Sequence, residues 1–341
     1  MSKLYFKLVR ESGCNIDNSI KYEEGLCIIN DFRINDHDWI LSEELNFIDI
    51  DKIWGHLHDC IYLYDVCLPI DNIELKIHDY GNGTYSANMI ILKNKKDLRD
   101  IQTWKYLLSL EIGIHGLSLK WACENGVLNV VKYLVDYGID ICHRNHALDI
   151  ACEYGHIDII KYLIENDTNV KNSALFNASI NGHLDVVKYL TDYGLKINEE
   201  MFDFFCANGQ IEIIKYFINN GTDISMYTRA LKRSIACGKL EVIKYLVENG
   251  VSIKKIDSAL LQACFRGFLD IVQYLVDCGA NIHAKNNWAI ISASEFGHLE
   301  VVKYLVKNGA DIHAENNCAL KKALKKNHTD VVQYLTECGL T

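Results

Sequence analysis

A nine-residue phrase returns almost unchanged along the last two-thirds of the chain, and it restricts the available architectures more than any other feature. Gly182-His-Leu-Asp-Val-Val-Lys-Tyr-Leu190 recurs as Gly297-His-Leu-Glu-Val-Val-Lys-Tyr-Leu305. With the tyrosine as marker, the series runs Tyr106, Tyr133, Tyr162, Tyr189, Tyr216, Tyr245, Tyr274, Tyr304 and Tyr334, at intervals of 27 to 30 residues. The copy at Tyr106 is degenerate and the other eight are clear. A unit this short cannot enclose a core alone, so neighbouring copies must stack and share one.

Each copy reads as two short antiparallel helices. In the second, Leu184, Val186, Val187 and Leu190 recur at helical spacing and define one apolar face. The glycines that follow it (Gly138, Gly194, Gly221, Gly250, Gly279, Gly309, Gly339) stand where a helix needs a left-handed terminator. Asp167 replaces glycine in one copy and tolerates the same conformation. The first-turn acids Asp158, Asp185, Glu212, Glu241 and Glu300 face the positive end of the helix dipole, three residues before Lys161, Lys188, Lys215, Lys244 and Lys303. They mark a solvated face.

The first helix carries Ala-Leu-x-x-Ala-Cys/Ser-x-x-Gly, as in Ala147-Leu148 with Ala151-Cys152. Cys123, Cys152, Cys206 and Cys264 share one position with Ser179 and Ser294, which predicts small buried side chains. That assigns a packing role to cysteines that a count of thirteen, with no Cys-x-x-Cys pair, already makes a poor disulfide framework. A reducing, intracellular compartment follows from the same usage. Phe205 is the misfit, since other copies place Ala151, Ala178 or Ala263 there and the next copy has Ser234. Either the stack bends at Phe205 or Ser234 makes room for the ring.

Composition excludes several function classes. Apolar residues at 49% and charged residues at 23% rule out wholesale disorder. The 35 basic and 45 acidic residues give a net charge of -10, the wrong sign for nucleic acid or an anionic membrane surface. No apolar run is long enough to span a bilayer, and Lys3, Lys7 and Arg10 interrupt the start of the chain, so no secretory leader is expected.

The paired helices, the Gly-His turn and the Gly-Ala-Asp-Ile-His of Gly309–His313 resemble ankyrin repeats over about two-thirds of the chain. The family's Thr-Pro-Leu-His opening is replaced by Asn-x-Ala-Leu, as in Asn145–Leu148 and Asn317–Leu320. The short period and the Asn-, Ile-, Lys- and Tyr-rich wording are similar to the ankyrin families of amoeba-infecting giant viruses. That resemblance implies a mainly α fold: an ankyrin-repeat helical solenoid over residues 116–341, a degenerate cap over 96–115, and a small α+β domain over 1–95. It also implies a non-enzymatic, monomeric scaffold in the host cytoplasm that binds a host or viral protein through the concave face of the array, with no cofactor. Some viral relatives carry an F-box-like tail after the array; none precedes Thr341, so ubiquitin-ligase recruitment by that route is not expected.

In the first hundred residues, alternation over Leu4–Val9, Ile61–Cys67, Ile73–Ile77 and Asn88–Leu92 predicts strands, with a helix over Ile48–Leu57. Tyr62–Pro69 and Ala87–Leu92 resemble the non-repeat N-terminal region of some of those viral proteins. His56-x-His58-Asp59-Cys60 holds metal-ligand residue types, but positions two apart on a helix diverge and no second ligand pair follows. A helix end entering a strand accounts for it better. The second function class is an enzyme or adaptor whose N-terminal domain acts on a substrate delivered by the repeats; no catalytic constellation supports it.

Binding residues should break the repeat without belonging to the core. The pair before the inter-helix glycine is small or polar in most copies, as in Glu124-Asn125 and Ala207-Asn208, but reads Phe265-Arg266 and Glu295-Phe296 later in the chain. Phe268 replaces the histidine of other copies, Trp288 opens a first helix, and Tyr154 precedes the turn of an earlier copy. The candidate partner-binding set is therefore Tyr154, Phe265, Arg266, Phe268, Trp288, Glu295 and Phe296, with the aromatic and arginine types that dominate interface energetics. For Phe268 and Trp288, packing between repeats is the favoured reading over binding. The recurring histidines are spaced too widely to share a metal ion and are expected to hydrogen-bond the turns they occupy.

Overall fold

In a computed structural model, residues 4–12, 22–28, 45–113, 115–166, 168–222, 227–250 and 253–339 are described. The chain divides into two compact units, Met1–Ala174 and Leu175–Thr341.

The first unit opens with a seven-stranded antiparallel sheet. Its strands are β1 (Tyr5–Arg10), β2 (Gly25–Ile28), β3 (Leu45–Asp49), β4 (Cys60–Cys67), β5 (Ile77–Asp79), β6 (Thr84–Ala87) and β7 (Met89–Asp97), in the order β2-β7-β4-β1-β3-β6-β5. β1 lies centrally, pairing Leu8 with Leu63 of β4 and Phe6 with Ile48 of β3. Val9, Phe47, Tyr64, Tyr85, Ile90 and Leu92 form its buried cluster. Within it, Phe47 stacks on Tyr85 at 5.4 Å, and Tyr5 meets Phe47 edge-on at 5.2 Å.

Two local expectations are corrected. Of the expected strand over Ile73–Ile77, residues 73–74 form a turn, 75–76 have no regular structure and only Ile77 belongs to β5; Ile73 is fully exposed, so its apolar character reports no buried face. The expected helix over Ile48–Leu57 begins later, because Ile48 and Asp49 complete β3, and it is a 3-10 helix over Ile50–His56.

A column of tryptophans joins this sheet to the first repeats. Trp54 of the 3-10 helix stacks on Trp104 at 5.9 Å, and Trp104 meets Trp121 at 5.6 Å. Trp104 belongs to α1 (Ile101–Ser109), the single helix of the degenerate copy, and donates its Nε1–H to the Leu98 carbonyl at 2.6 Å. Trp121, in α2 (Gly116–Glu124), donates to the Cys60 carbonyl at 2.8 Å. Both rings are buried, and each indole N–H has the partner that burial requires. α3 (Leu128–Asp136), α4 (Ile141–Tyr154) and α5 (Ile157–Glu165) complete the repeats of this unit, and α6 (Asn172–Ile180) runs across the division.

The second unit continues with α7 (Leu184–Asp192) and then the pairs α8 (Glu199–Asn208) and α9 (Ile211–Asn219), α10 (Tyr227–Ala236) and α11 (Leu240–Glu248), and α12 (Ile253–Arg266) and α13 (Leu269–Asp277). It ends with α14 (Ala284–Glu295) and α15 (Leu299–Lys307), then α16 (Ala314–Lys325) and α17 (Thr329–Glu337). Each of these second helices except the last buries the triplet its periodicity predicts, for example Val186, Val187 and Leu190, or Val301, Val302 and Leu305, whereas α17 buries only Val331 and Leu335. The glycines after these helices hold φ between 84° and 112°, the left-handed terminators expected; Asp167 lies outside the described residues. Lys215, Lys244 and Lys303 pair with the acids three residues earlier at 2.7 to 2.8 Å.

The first residue of the Asn-x-Ala-Leu motif, asparagine or, at 257, aspartate, ties one copy to the next. Asn145, Asp257 and Asn287 each accept the backbone N–H of the residue 24 positions on, Asn169, Asn281 and Asp311, at 2.7 to 3.1 Å. In the last two copies the residues leading into the motif, Lys285–Asn287 and Glu315–Asn317, all adopt positive φ of 50° to 62°. Asparagine tolerates that left-handed region better than most residues, which explains its abundance there. At the misfit Phe205, the ring is fully buried and stacks on Phe217 at 6.1 Å, while Ser234 is also buried and turns its hydroxyl to the Ala230 carbonyl.

Candidate protein-binding surface

The turn between the two helices of each copy is built on a left-handed residue: a glycine at φ 67° to 79° in seven copies and Asn327 at φ 60° in the last. The next residue reaches back across the turn glycine of the preceding copy. His298 covers Gly267, His328 covers Gly297, His156 covers Gly126, and Phe268 covers Gly238. A Cβ on Gly267 would lie 2.3 Å from Nδ1 of His298, so glycine is required there for space as well as conformation.

Histidine adds a bond to this packing. Nε2 of His156, His298 and His328 lies 3.0 to 3.1 Å from the carbonyls of Glu124, Phe265 and Glu295, and Gln210 donates to Ile180 at 2.5 Å. A carbonyl only accepts, so Nε2 carries the proton. The histidines thus bind the preceding copy's helix end rather than their own turn, because the last carbonyls of a helix lack internal partners. Among the described residues no group of three His, Cys, Asp or Glu side chains is placed to hold a metal ion. In the His56–Cys60 segment, the 3-10 helix passes into β4 and Asp59 pairs with Arg10 at 2.5 Å.

The candidate residues separate by environment. Phe265 and Phe296 stand at the turn ends of α12 and α14, 41% and 42% exposed, with rings in edge contact at 4.3 Å. The Arg266 guanidinium lies 5.7 Å from the Phe265 ring centre. Phe268 is half-buried against Gly238 and supplies packing where its equivalents supply a hydrogen bond. Glu295 turns inward and pairs with Lys322 at 3.1 Å. Trp288 is exposed, but eight residues of α14 separate it from Phe296, about 12 Å along the axis. Tyr154, in the first unit, is exposed and stacks on His156 at 6.4 Å. The residues brought together are therefore Phe265, Arg266 and Phe296.

Two neighbours escaped the sequence reading. Lys325 and Lys326 occupy the pair position before the turn in the last copy, and both are exposed. Their signal was present, since they align with Phe265-Arg266 and Glu295-Phe296 once Asn327 is recognised as the turn residue.

The cysteines at the small-residue position are fully buried, as expected. Burial pushes the Cys264 thiol up to about 12 and those of Cys123, Cys152 and Cys206 higher still, which removes their nucleophilic form.

Comparison with known proteins agrees with this architecture. The sequence profile of ankyrin repeats (three copies) matches residues 119–201 and 260–341, and a second ankyrin profile (many copies) matches 231–276. The chain is 39% identical over 142 residues to a protein named for its ankyrin repeats, R868 of Acanthamoeba polyphaga mimivirus, covering 41% of this chain and 70% of the relative. It is 37% identical over 137 residues to the uncharacterized protein R869 of the same virus, covering 39% and 98%. A third mimivirus ankyrin protein, R896, is 30% identical over 141 residues, covering 40% and 42%. The chain belongs to the ankyrin repeat family and is similar to members from a giant virus. Ankyrin repeats point to a role in protein–protein interaction. Among the described residues no helix is long and apolar enough to cross a membrane.

Proposed function

We propose that the protein is a non-enzymatic scaffold in the host cytoplasm that binds a host or viral protein through the repeats, with the contact centred on Phe265, Arg266 and Phe296. The observation that supports this most is the solvent-facing Phe265–Phe296 pair. Two rings held edge to face at adjacent turn ends, with a guanidinium beside them, form a preorganised apolar anchor site with a polar edge. Nothing in the stacking of the repeats requires them, since other copies place Glu124, Ala207 or Ala236 where Phe265 stands and Asn125, Asn208 or Cys237 where Phe296 stands. Phe268 holds the turn beneath, and Trp288 extends the contact only if the partner is large.

The test uses the full chain as bait in amoebal lysate, comparing the wild type with Arg266→Ala/Phe296→Ala, read by mass spectrometry alongside thermal unfolding. A partner retained by the wild type and lost by the variant, with the unfolding midpoint unchanged, is the expected result. Equal retention by both would remove the surface from the proposal.

A further inference from the structure

Resting on the protein-binding role proposed above, we infer that the partner docks on this surface through a short acidic segment carrying an aromatic or large aliphatic anchor. The pair positions before the turn in the last three copies read Phe265-Arg266, Glu295-Phe296 and Lys325-Lys326. Lys322 already neutralises Glu295. Among the described residues no carboxylate pairs with Arg266, Lys325 or Lys326, so three exposed cations flank two exposed phenylalanines. The same pair in the five earlier copies is Glu124-Asn125, Glu153-Tyr154, Ile180-Asn181, Ala207-Asn208 and Ala236-Cys237, with no cation in any.

The patch runs against the sign of the whole chain, which carries a net charge of -10. That contrast selects for ligand length as well as sign. A long polyanion would meet the field of the whole protein, whereas a short acidic segment meets chiefly the local cations. Three stacked copies extend the row by about 20 Å, which about six residues of extended chain would cover. The phenylalanines supply the apolar contact, and the cations set the sign and register of what flanks it.

The probe is a random-peptide display library panned against the folded full chain, with Phe265→Ala/Phe296→Ala and Arg266→Glu/Lys325→Glu/Lys326→Glu panned in parallel. All five positions are exposed, and circular dichroism with thermal unfolding confirms that each variant is folded. Enrichment of peptides in which Asp or Glu flanks a large apolar residue is expected. A synthetic peptide of that sequence should bind about tenfold more weakly to either variant and lose affinity as salt is raised.

Enriched peptides without acidic bias, yet lost on Phe265→Ala/Phe296→Ala, would overturn the acidic assignment while leaving the protein-binding proposal standing. Acidic peptides held equally by the phenylalanine variant would show ion exchange without an anchor and overturn it as well. So would no enrichment, or tighter retention of a single-stranded oligonucleotide than of any acidic peptide.

Discussion

The β-sheet and the repeats are folded by opposite strategies, and the contrast explains which parts of the molecule can carry variation. In the sheet, β1 pairs with β3 and β4 across gaps of some forty and fifty residues, so one register error would misplace every side chain in the cluster of Val9, Phe47 and Tyr64. In the repeats every core position is written many times, and each copy contacts only its neighbours. Exposed turn ends there are free to change, and Phe265, Arg266 and Phe296 changed.

The largest separation between the two strategies is expected at alkaline pH. The repeat thiols Cys123, Cys152, Cys206 and Cys264 have pKa values raised above the ordinary value near 9. Above that pH the unfolded chain releases protons that the folded repeats retain, so stability falls, by up to about 1 kcal/mol per thiol for each pH unit. In the sheet, Lys7 lies over the Tyr22 ring and burial lowers its pKa from 10.5 to about 8. The unfolded chain binds the extra proton between those values, so Lys7 adds stability as pH rises from 8 to 10.5, partly opposed by Cys60, raised to about 11. Urea unfolding at stepped pH should show a fall that Cys123→Ala/Cys264→Ala flattens and Lys7→Met steepens. An unchanged slope in the cysteine variant would mean that those thiols ionise freely in the folded protein.

Trp104→Ala strikes the junction between the two strategies. It removes a fully buried ring from the column of Trp54 and Trp121 and should destabilise the first unit by ~3–5 kcal/mol. A midpoint shift no larger than that of a surface variant would show the column to be dispensable.

Gly267→Ala sharpens the comparison inside the repeats. It adds both a left-handed alanine, at ~1–2 kcal/mol, and a clash with His298, so its effect should exceed that of Gly279→Ala, where nothing lies within 4 Å. Equal shifts in denaturation midpoint would show that the ring moves aside freely.

His298→Phe reproduces what Phe268 does naturally and should lose only the bond to Phe265, about 1 kcal/mol, whereas His298→Ala loses the packing too. The smallest effect belongs to Arg266→Ala and Phe296→Ala, within ~0.5 kcal/mol of the wild type by thermal melting. A larger loss would assign the pair to the core.

Most of the repeat architecture was legible because periodicity multiplies the signal: a single Gly-His pair says little, and seven aligned turns say a great deal. The buried thiols, the terminating glycines and the apolar triplets were all readable in this way. The sheet was less so. Ile73 has the residue type of a strand and is fully exposed, while Ile48 and Asp49 end a strand where a helix was expected, because a sheet written once has no second copy to correct a local misreading.

The candidate surface was legible as a departure from the repeat, but its membership was not. Phe265, Phe268, Trp288 and Phe296 are alike as sequence anomalies, yet only Phe265 and Phe296 meet, Phe268 covers a glycine, and Trp288 stands at the other end of its helix. The sequence by itself determined the family, the period and the buried face of each helix, since these depend on spacing along one chain. Tertiary structure decided where the histidines of one copy bond, which carboxylate Lys322 neutralises and which aromatic rings stay in solvent. Those outcomes depend on the distance between side chains some thirty residues apart, which stacking sets and local pattern does not encode.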